Sequence, residues 1–344
     1  MEYRDALKHL VAGKHLAFDQ MHGLMTELMA GQWSDARIGA FLAALAAKGE
    51  TSAEISAAAQ AMRDIMVPVT IDANRAVDIV GTGGDGANLF NVSTAASFVV
   101  AAAGVPVAKH GNRSVSSSSG SADLLESAGL NLALDIAQVT RCIDEIGIGF
   151  MFAPNHHQGM RHAGPARREL GIKTLFNILG PLTNPAGVRH QVIGVYEPRL
   201  LPIVADAMRK LGSVHTLVVH GEEVLDELSI AGPSLVSDLC NGEISEYQVV
   251  PEQFGLKRHS LEQLKVTHSD QSLALVMSAL NNEAGAARDM VALNAGAALY
   301  AADQAASLAA GVALALDTLA QGTPVTLLER LAHFTQALAP STAD

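Results

Sequence analysis

Residues 76–123 read AVDIVGTGGDGANLFNVSTAASFVVAAAGVPVAKHGNRSVSSSSGSAD, and this stretch decides the fold. AVDIV (76–80) is a short apolar run ending at a glycine loop, as a buried strand does. Ser93 to Ala103 carries the pattern of a helix. Val105 to Ala108 is a second buried strand, and another helix starts near Ser121 and stops at Gly129. Strands that alternate with helices at this spacing build a mostly parallel sheet covered by helices. Four glycines within GTGGDG (81–86) free the backbone to turn its N–H groups toward a ligand. Asn91, Ser93 and Thr94 add side-chain donors where the next helix begins, and a helix N-terminus favours anions.

Gly81, Gly83 and Gly86 also satisfy G-x-G-x-x-G, the dinucleotide fingerprint. That fingerprint needs an acid at the end of the second strand to hold a ribose hydroxyl. Here the strand ends in Lys109-His110, and the helix starts near Ser93 rather than at the third glycine. The loop therefore reads as a phosphate cradle. The loop KHGNRSVSSSSGSAD (109–123) supplies charge through Lys109 and Arg113, and hydroxyls and open N–H groups through its serines and glycines. Asp123 borders or caps the following helix. Two such loops after successive strands converge where α/β sheets bind ligands.

The alternation continues with a helix over Asp135 to Ile146 and the strand IGFMFA. Further on come the strand QVIGVY, a helix over 199–211 and the strand HTLVVHG. Asn241-Gly242, between SLVSDLC and EISEYQVV, predicts a hairpin. The last seventy residues are Ala/Leu-rich helices. Residues 1–70 read as helical. Ser34 caps a helix with Ile38, Phe41, Leu42 and Leu45 on one face, and Gly49 closes it. Thr51 and Glu54 form a capping box for a second helix whose stripe is Ile55, Ala59, Met62 and Met66. The segment 155–187 concentrates His, Arg, Gly and Pro between two apolar strands. It reads as chain that leaves the sheet and returns, so part of it belongs with the N-terminal helices.

The chain's 344 residues suit one large or two ordinary domains. Its net charge of −12 disfavours general nucleic-acid binding. Cys142 and Cys240 stand far apart, match no metal-ligand spacing and suit a reducing cytoplasm. The start, MEYRDALKHL, is charged where a signal peptide is apolar. No apolar run reaches the roughly 18 residues a membrane span needs.

Asp226 and Glu227 are adjacent acids in a loop after HTLVVHG. Carboxylates together with substrate phosphates are the usual holders of Mg²⁺, and with two phosphate loops nearby the pair reads as a metal site rather than a solvated turn. His156, His157 and His162 match no ligand motif. Arg161, Arg167 and Arg168 point instead to a carboxylate, which arginine grips through paired hydrogen bonds.

Taken in order, GTGGD, N-x-S-T, KHGNR, SGSAD, RHAGPAR, LFNILGPLTNP and Asp226-Glu227 resemble the anthranilate phosphoribosyltransferase family of tryptophan biosynthesis. The chain departs from it at Leu89, where family members carry a polar residue, and at Ser118, where a lysine is frequent. The resemblance implies an α/β fold of the nucleoside phosphorylase/phosphoribosyltransferase kind: a small all-helical domain and a larger α/β domain with a mostly parallel central sheet flanked by helices. The expected division is 1–70 with part of 160–190, against 71–160 and 191–344. It also implies a cytoplasmic homodimer joined through the helical domains.

The implied reaction moves phosphoribose from 5-phosphoribosyl-1-diphosphate to anthranilate with Mg²⁺, two ions per subunit. The implied phosphoribosyl diphosphate site comprises Gly81, Gly84, Asp85, Leu89, Asn91, Val92, Ser93, Thr94, Lys109, His110, Gly111, Asn112, Arg113, Ser114, Val115, Ser116, Ser117 and Ser121. Anthranilate falls to Gly81, Asn112 and Arg167, and the metal to Ser93, Asp226 and Glu227. No nucleophile–base pair is expected, because catalysis would be electrostatic and positional. The rival readings are a nucleoside phosphorylase of the same fold group and a non-enzymatic nucleic-acid-binding paralogue.

Overall fold

The computed structural model describes residues 1–113 and 119–338. Four helices open the chain: α1 (Tyr3–Val11), α2 (Phe18–Met29), α3 (Asp35–Lys48) and α4 (Ser52–Ile65). Gly49 ends α3 with φ 83°, and at α4 the Thr51 side chain accepts from the Glu54 N–H while Glu54 reaches back to the Thr51 N–H, the box read from sequence. Ile55, Ala59 and Met62 are buried as expected, but Met66 is extended backbone beyond the helix end, so the stripe stops at Met62.

The α/β body follows with β1 (Val77–Gly81), α5 (Val92–Ala102), β2 (Val107–Gly111), α6 (Ser121–Ser127) and α7 (Ile136–Arg141), the last running into a π-helical turn over Cys142–Ile146. The second strand starts at Val107, two residues later than its apolar run, because Pro106 has no N–H to give a ladder and the Val105 N–H turns back to the Val100 carbonyl. Next come β3 (Ile148–Phe152), α8 (Ala153–His156), α9 (Met160–Leu170), α10 (Leu175–Leu182), β4 (His190–Gly194), α11 (Leu200–Lys210) and β5 (His215–Gly221). The hairpin β6 (Ser234–Cys240) and β7 (Glu243–Val249) turns through Asn241 at φ 51° and Gly242 at φ 89°, as Asn-Gly predicts. Four helices close the described chain: α12 (Ser269–Leu280), α13 (Ala286–Ala301), α14 (Leu308–Ala320) and α15 (Thr323–Ala337).

The strands form one seven-stranded sheet ordered β3-β2-β1-β4-β5-β6-β7. It is parallel from β3 to β5, and the β6–β7 hairpin adds an antiparallel edge. Strand order reverses between β1 and β4. A crevice opens at such a switch point, and the glycine loop that follows β1 lies beside it.

Side chains alternate across the sheet. Val77, Ile79, Val192, Leu217 and Val219 join the core under α5 and α12–α15. Ile193 and Val218 face the other way, into a core shared with α1–α4, α9, α10 and α11. The excursion 160–182 therefore packs with the N-terminal helices, and that bundle is seated on one face of the sheet. Among the described residues no single helix is long and apolar enough to cross a membrane; α14 and α15 meet the test only as a pair bent by 70°.

Candidate active site

A cleft of about 1000 Å³ opens at the carboxyl ends of β1, β2 and β5, with α9 and α10 as its far wall. Gly83, Gly84 and Gly86 adopt φ of 64°, 75° and 76°, a left-handed region that favours glycine. Gly81 and Gly194 serve a second purpose. A β-carbon at either would collide with Asp226, so both strands need glycine at their ends for the acidic loop to cross them. Asp226 Oδ2 then accepts the Gly83 N–H at 2.7 Å, and Asp85 Oδ1 accepts the Ala87 N–H at 3.1 Å.

Asp85, Asp226 and Glu227 place one carboxylate oxygen each within 4.8 Å of one another. Burial, then the neighbouring Asp85, pushes Asp226 up to about 7. Glu227 is held well above its ordinary value by burial, Asp226 and Asp85, with Lys109 pulling partly the other way. Three hard oxygen donors that repel one another fit a divalent cation such as Mg²⁺. Asp85 therefore joins the acidic pair expected from sequence. Ser93 lines the same cleft, with its Oγ 3.4 Å from Lys109 Nζ.

Lys109 is buried in β2, and its Nζ donates to the Ile79 carbonyl at 2.7 Å. Burial lowers it to about 8 against the pull of Asp78 and Glu227, so it stays mostly charged at neutral pH. Asp78, buried behind it and accepting from Asn184 at 2.8 Å, is pushed up to about 6 by that burial. His110 and His157 are buried side by side, ring centres 5.1 Å apart. Burial holds both toward the neutral form, His157 at about 4.

Asn91 joins the end of the glycine loop to Ser119. Its Nδ2 donates to the Ser119 carbonyl at 3.1 Å, and its Oδ1 accepts from Ser119 Oγ at 2.9 Å and Ser272 Oγ at 2.7 Å. Neither serine was singled out from sequence. Ser119 was one of a run, and Ser272 arrives on α12 from far along the chain. Val92 and Thr94 are buried under the start of α5 and do not line the cleft. Leu89 pairs with Lys265 in an isolated β-bridge, so its backbone anchors the end of the glycine loop.

Gly111, Asn112, Arg113 and Ser121 line the cleft. Gly111 is small because Ser121 and Phe150 press against it. Arg113 is turned aside, paired with Asp123 and Glu126 on α6 and stacked on Phe152. Asp123 accepts the Gly120 N–H at the start of α6, the capping role expected of it. Ser114, Val115, Ser116, Ser117 and Ser118 lie outside the described residues.

On the opposite wall, Arg161, Arg167 and Arg168 face the cleft. Arg167 is half-buried and stacked over the Phe176 ring at 5.3 Å, and burial lowers its pKa. Among the described residues no carboxylate lies within 4.0 Å of its guanidinium, and Glu169 does not pair with it. A glycine loop, an acidic trio and a guanidinium without a carboxylate partner among the described residues thus share one cleft. The arrangement suits a substrate carrying a diphosphate and a partner carrying a carboxylate.

The helical-bundle domain of a glycosyl transferase family matches residues 4–66, and that family's a/b domain matches 73–325. A curated relative from Chromohalobacter salexigens, an anthranilate phosphoribosyltransferase, is 59% identical over 98% of each chain. One of the same name from Azotobacter vinelandii is 55% identical over 97% of each. The crystal structure of anthranilate phosphoribosyltransferase from Thermus thermophilus superposes with a TM-score of 0.91 at 46% identity, covering 96% of this chain and 99% of that one. The Saccharomyces cerevisiae enzyme in complex with phosphoribosyl diphosphate and Mg superposes at 0.88 with 26% identity, covering 97% and 98%.

Proposed function

Because this chain belongs to the anthranilate phosphoribosyltransferase family of glycosyl transferases, we propose that it transfers phosphoribose from 5-phosphoribosyl-1-diphosphate to anthranilate. The products are N-(5-phosphoribosyl)anthranilate and diphosphate, a step of tryptophan biosynthesis. The reaction breaks the bond between ribose C1 and the diphosphate oxygen and forms one between C1 and the anthranilate nitrogen, whose proton goes to solvent. The observation that carries this reading is the acidic trio on the glycine loop facing an unpaired Arg167 across one cleft.

Each group has a task in that chemistry. The glycine loop, through Gly81 and the Gly84 N–H, cradles the diphosphate beside Asp85. Ser93, Asn91, Lys109, Gly111, Asn112 and Ser121 complete the phosphoribosyl site. Asp226 and Glu227, joined by Asp85 and Ser93, hold Mg²⁺, with two ions per subunit. Bound Mg²⁺ supplies charge that steadies the departing diphosphate. Arg167 and Asn112 grip the anthranilate carboxylate and leave the amine aimed at C1. That aromatic amine is neutral at pH 7, so no base is needed before attack and positioning does most of the work. The buried, neutral His110 and His157 add no charge that would draw the carboxylate away from Arg167.

The working molecule on this reading is a cytoplasmic homodimer. Its helical unit is 1–70 with part of 160–190, and 71–160 with 191–344 forms the catalytic body. Val11 and Phe18 are exposed apolar residues of that helical unit, a surface that a symmetric partner would cover. Light scattering at micromolar concentration should give twice the chain mass, and a monomer would contradict the dimer. A phosphorylase or nucleic-acid-binding role finds no support among the relatives. The deciding assay is loss of anthranilate fluorescence on adding phosphoribosyl diphosphate and Mg²⁺. No loss, or loss without phosphoribosyl diphosphate, would overturn the reading.

A further inference from the structure

Lys173 lies on the exposed connection between α9 and α10, the two helices that form the far wall of the cleft. Its stem runs along the glycine loop: Cε stands 3.4 Å from where a β-carbon on Gly84 would sit. Gly84 itself lines the cleft. The ammonium, one bond further on, rests 3.8 Å from the centre of the Tyr196 ring. No carboxylate among the described residues pairs with it. Tyr196 is 3% exposed, so its ring is a fixed seat on the β4–α11 connection. A lysine on a flexible stem, held by a ring face rather than an ion pair, is a cation with a weak hold and a short path.

We propose that Lys173 is a further diphosphate-binding residue, its ammonium moving from the Tyr196 ring to the diphosphate held by the glycine loop. This rests on the phosphoribosyl transfer described above and adds a cation from the helical side of the cleft. The acids at Asp85, Asp226 and Glu227 draw their counter-charge from the metal, so the outward rim of the diphosphate needs a separate cation. Arg113 is committed to Asp123 and Glu126, and Lys109 is committed deep in β2. Arg161 and Arg168 stand on the same wall, but Lys173 is the cation whose stem lies against the glycine loop, at Gly84.

The test uses the full chain with saturating Mg²⁺ and compares Lys173→Gln, Lys173→Ala and Lys173→Arg with the parent. The Michaelis constant for phosphoribosyl diphosphate and the inhibition constant for inorganic diphosphate should rise together, about five- to twentyfold, in the Gln and Ala variants. The anthranilate constant should stay within about twofold, and Arg should recover most of the loss, as a lost charge contact requires. Unchanged constants for both diphosphate species would overturn the proposal. So would a parallel rise in the anthranilate constant, which marks a packing role against Tyr196. Calorimetric binding of inorganic diphosphate with Mg²⁺ to parent and Lys173→Gln judges Lys173 without turnover. Equal affinities there refute it, whereas a parent that binds diphosphate yet never consumes anthranilate refutes the reaction and leaves the Lys173 contact standing.

Discussion

On β6, beside the start of β5, the buried Asp238 accepts the hydroxyls of Tyr247 at 3.0 Å and Tyr300 at 3.1 Å. His215 stands beside it, with Nε2 3.3 Å from Asp238 Oδ1 and Nδ1 2.9 Å from Asp303. Beyond the other end of β5, Asp226 and Glu227 crowd against Asp85 of the glycine loop. Their protein partners are the backbone N–H groups of Gly83 and Ala87 and the more distant charge of Lys109. One sheet thus carries two acidic clusters, one held by tyrosine hydroxyls with a histidine beside it and one of crowded carboxylates. Buried charge that the protein balances serves the fold; buried charge that it leaves unbalanced waits for something from outside.

Removing the unbalanced acids should have the largest effect. Asp226→Asn with Glu227→Gln should cut turnover at ordinary Mg²⁺ by at least about a hundredfold and raise the Mg²⁺ needed. Circular dichroism should show an intact fold. An unchanged Mg²⁺ dependence would remove these residues from the metal site. At the other end the effect should fall on stability. Asp238→Ala strands two tyrosine hydroxyls and a histidine, and should cost about 3 kcal/mol in denaturant unfolding while leaving both Michaelis constants in place. A shifted constant would couple the two ends and erase the contrast.

Arg167 sharpens the contrast within the cleft, being a cation without a carboxylate partner among the described residues, across the cleft from three crowded acids. Arg167→Ala should raise the anthranilate Michaelis constant roughly ten- to a hundredfold, the worth of a charge-assisted pair. The constant for phosphoribosyl diphosphate should move much less. Equal weakening of both substrates would mean general damage, and no change would place the carboxylate elsewhere.

The smallest effect concerns pH. Burial works against a charge on His215, but Asp238 and Asp303 outweigh it and raise its pKa above 6.5. A raised folded value gives stability that is full below the unfolded pKa and is lost as pH rises through the folded one. The melting midpoint should therefore fall as pH climbs above about 6.5, and His215→Asn should flatten that decline. An undiminished decline in the variant would assign it to other groups.

What could be read in the sequence was local. The Thr51–Glu54 box, the Asn241-Gly242 turn and the βα alternation each rest on residues a few positions apart, and each is found where expected. The glycine loop, the serine-rich loop and the acidic pair are each written in contiguous letters. Contacts made by the fold could not be read. Asp85 becomes part of the acidic cluster because Gly81 and Gly194 let the Asp226 loop lie across two strand ends. Ser272 reaches Asn91 through helix packing. Thr94, a polar residue in a phosphate motif, looked like a ligand group, but the turn of α5 places it inward. Arg113 looked like a free charge until α6 brought Asp123 and Glu126 beside it.

The contrast between the two clusters is tested most directly by melting the parent and Glu227→Gln, first in EDTA and then with Mg²⁺ and phosphoribosyl diphosphate. Removing one acid whose ionisation the site resists should raise the metal-free midpoint by about 1 to 3 °C. It should also shrink the further rise that Mg²⁺ and phosphoribosyl diphosphate give the parent. A variant that melts lower than the parent in EDTA, and still gains the parent's full rise with Mg²⁺ and phosphoribosyl diphosphate, would show that Glu227 is a balanced structural acid and contradict the assignment.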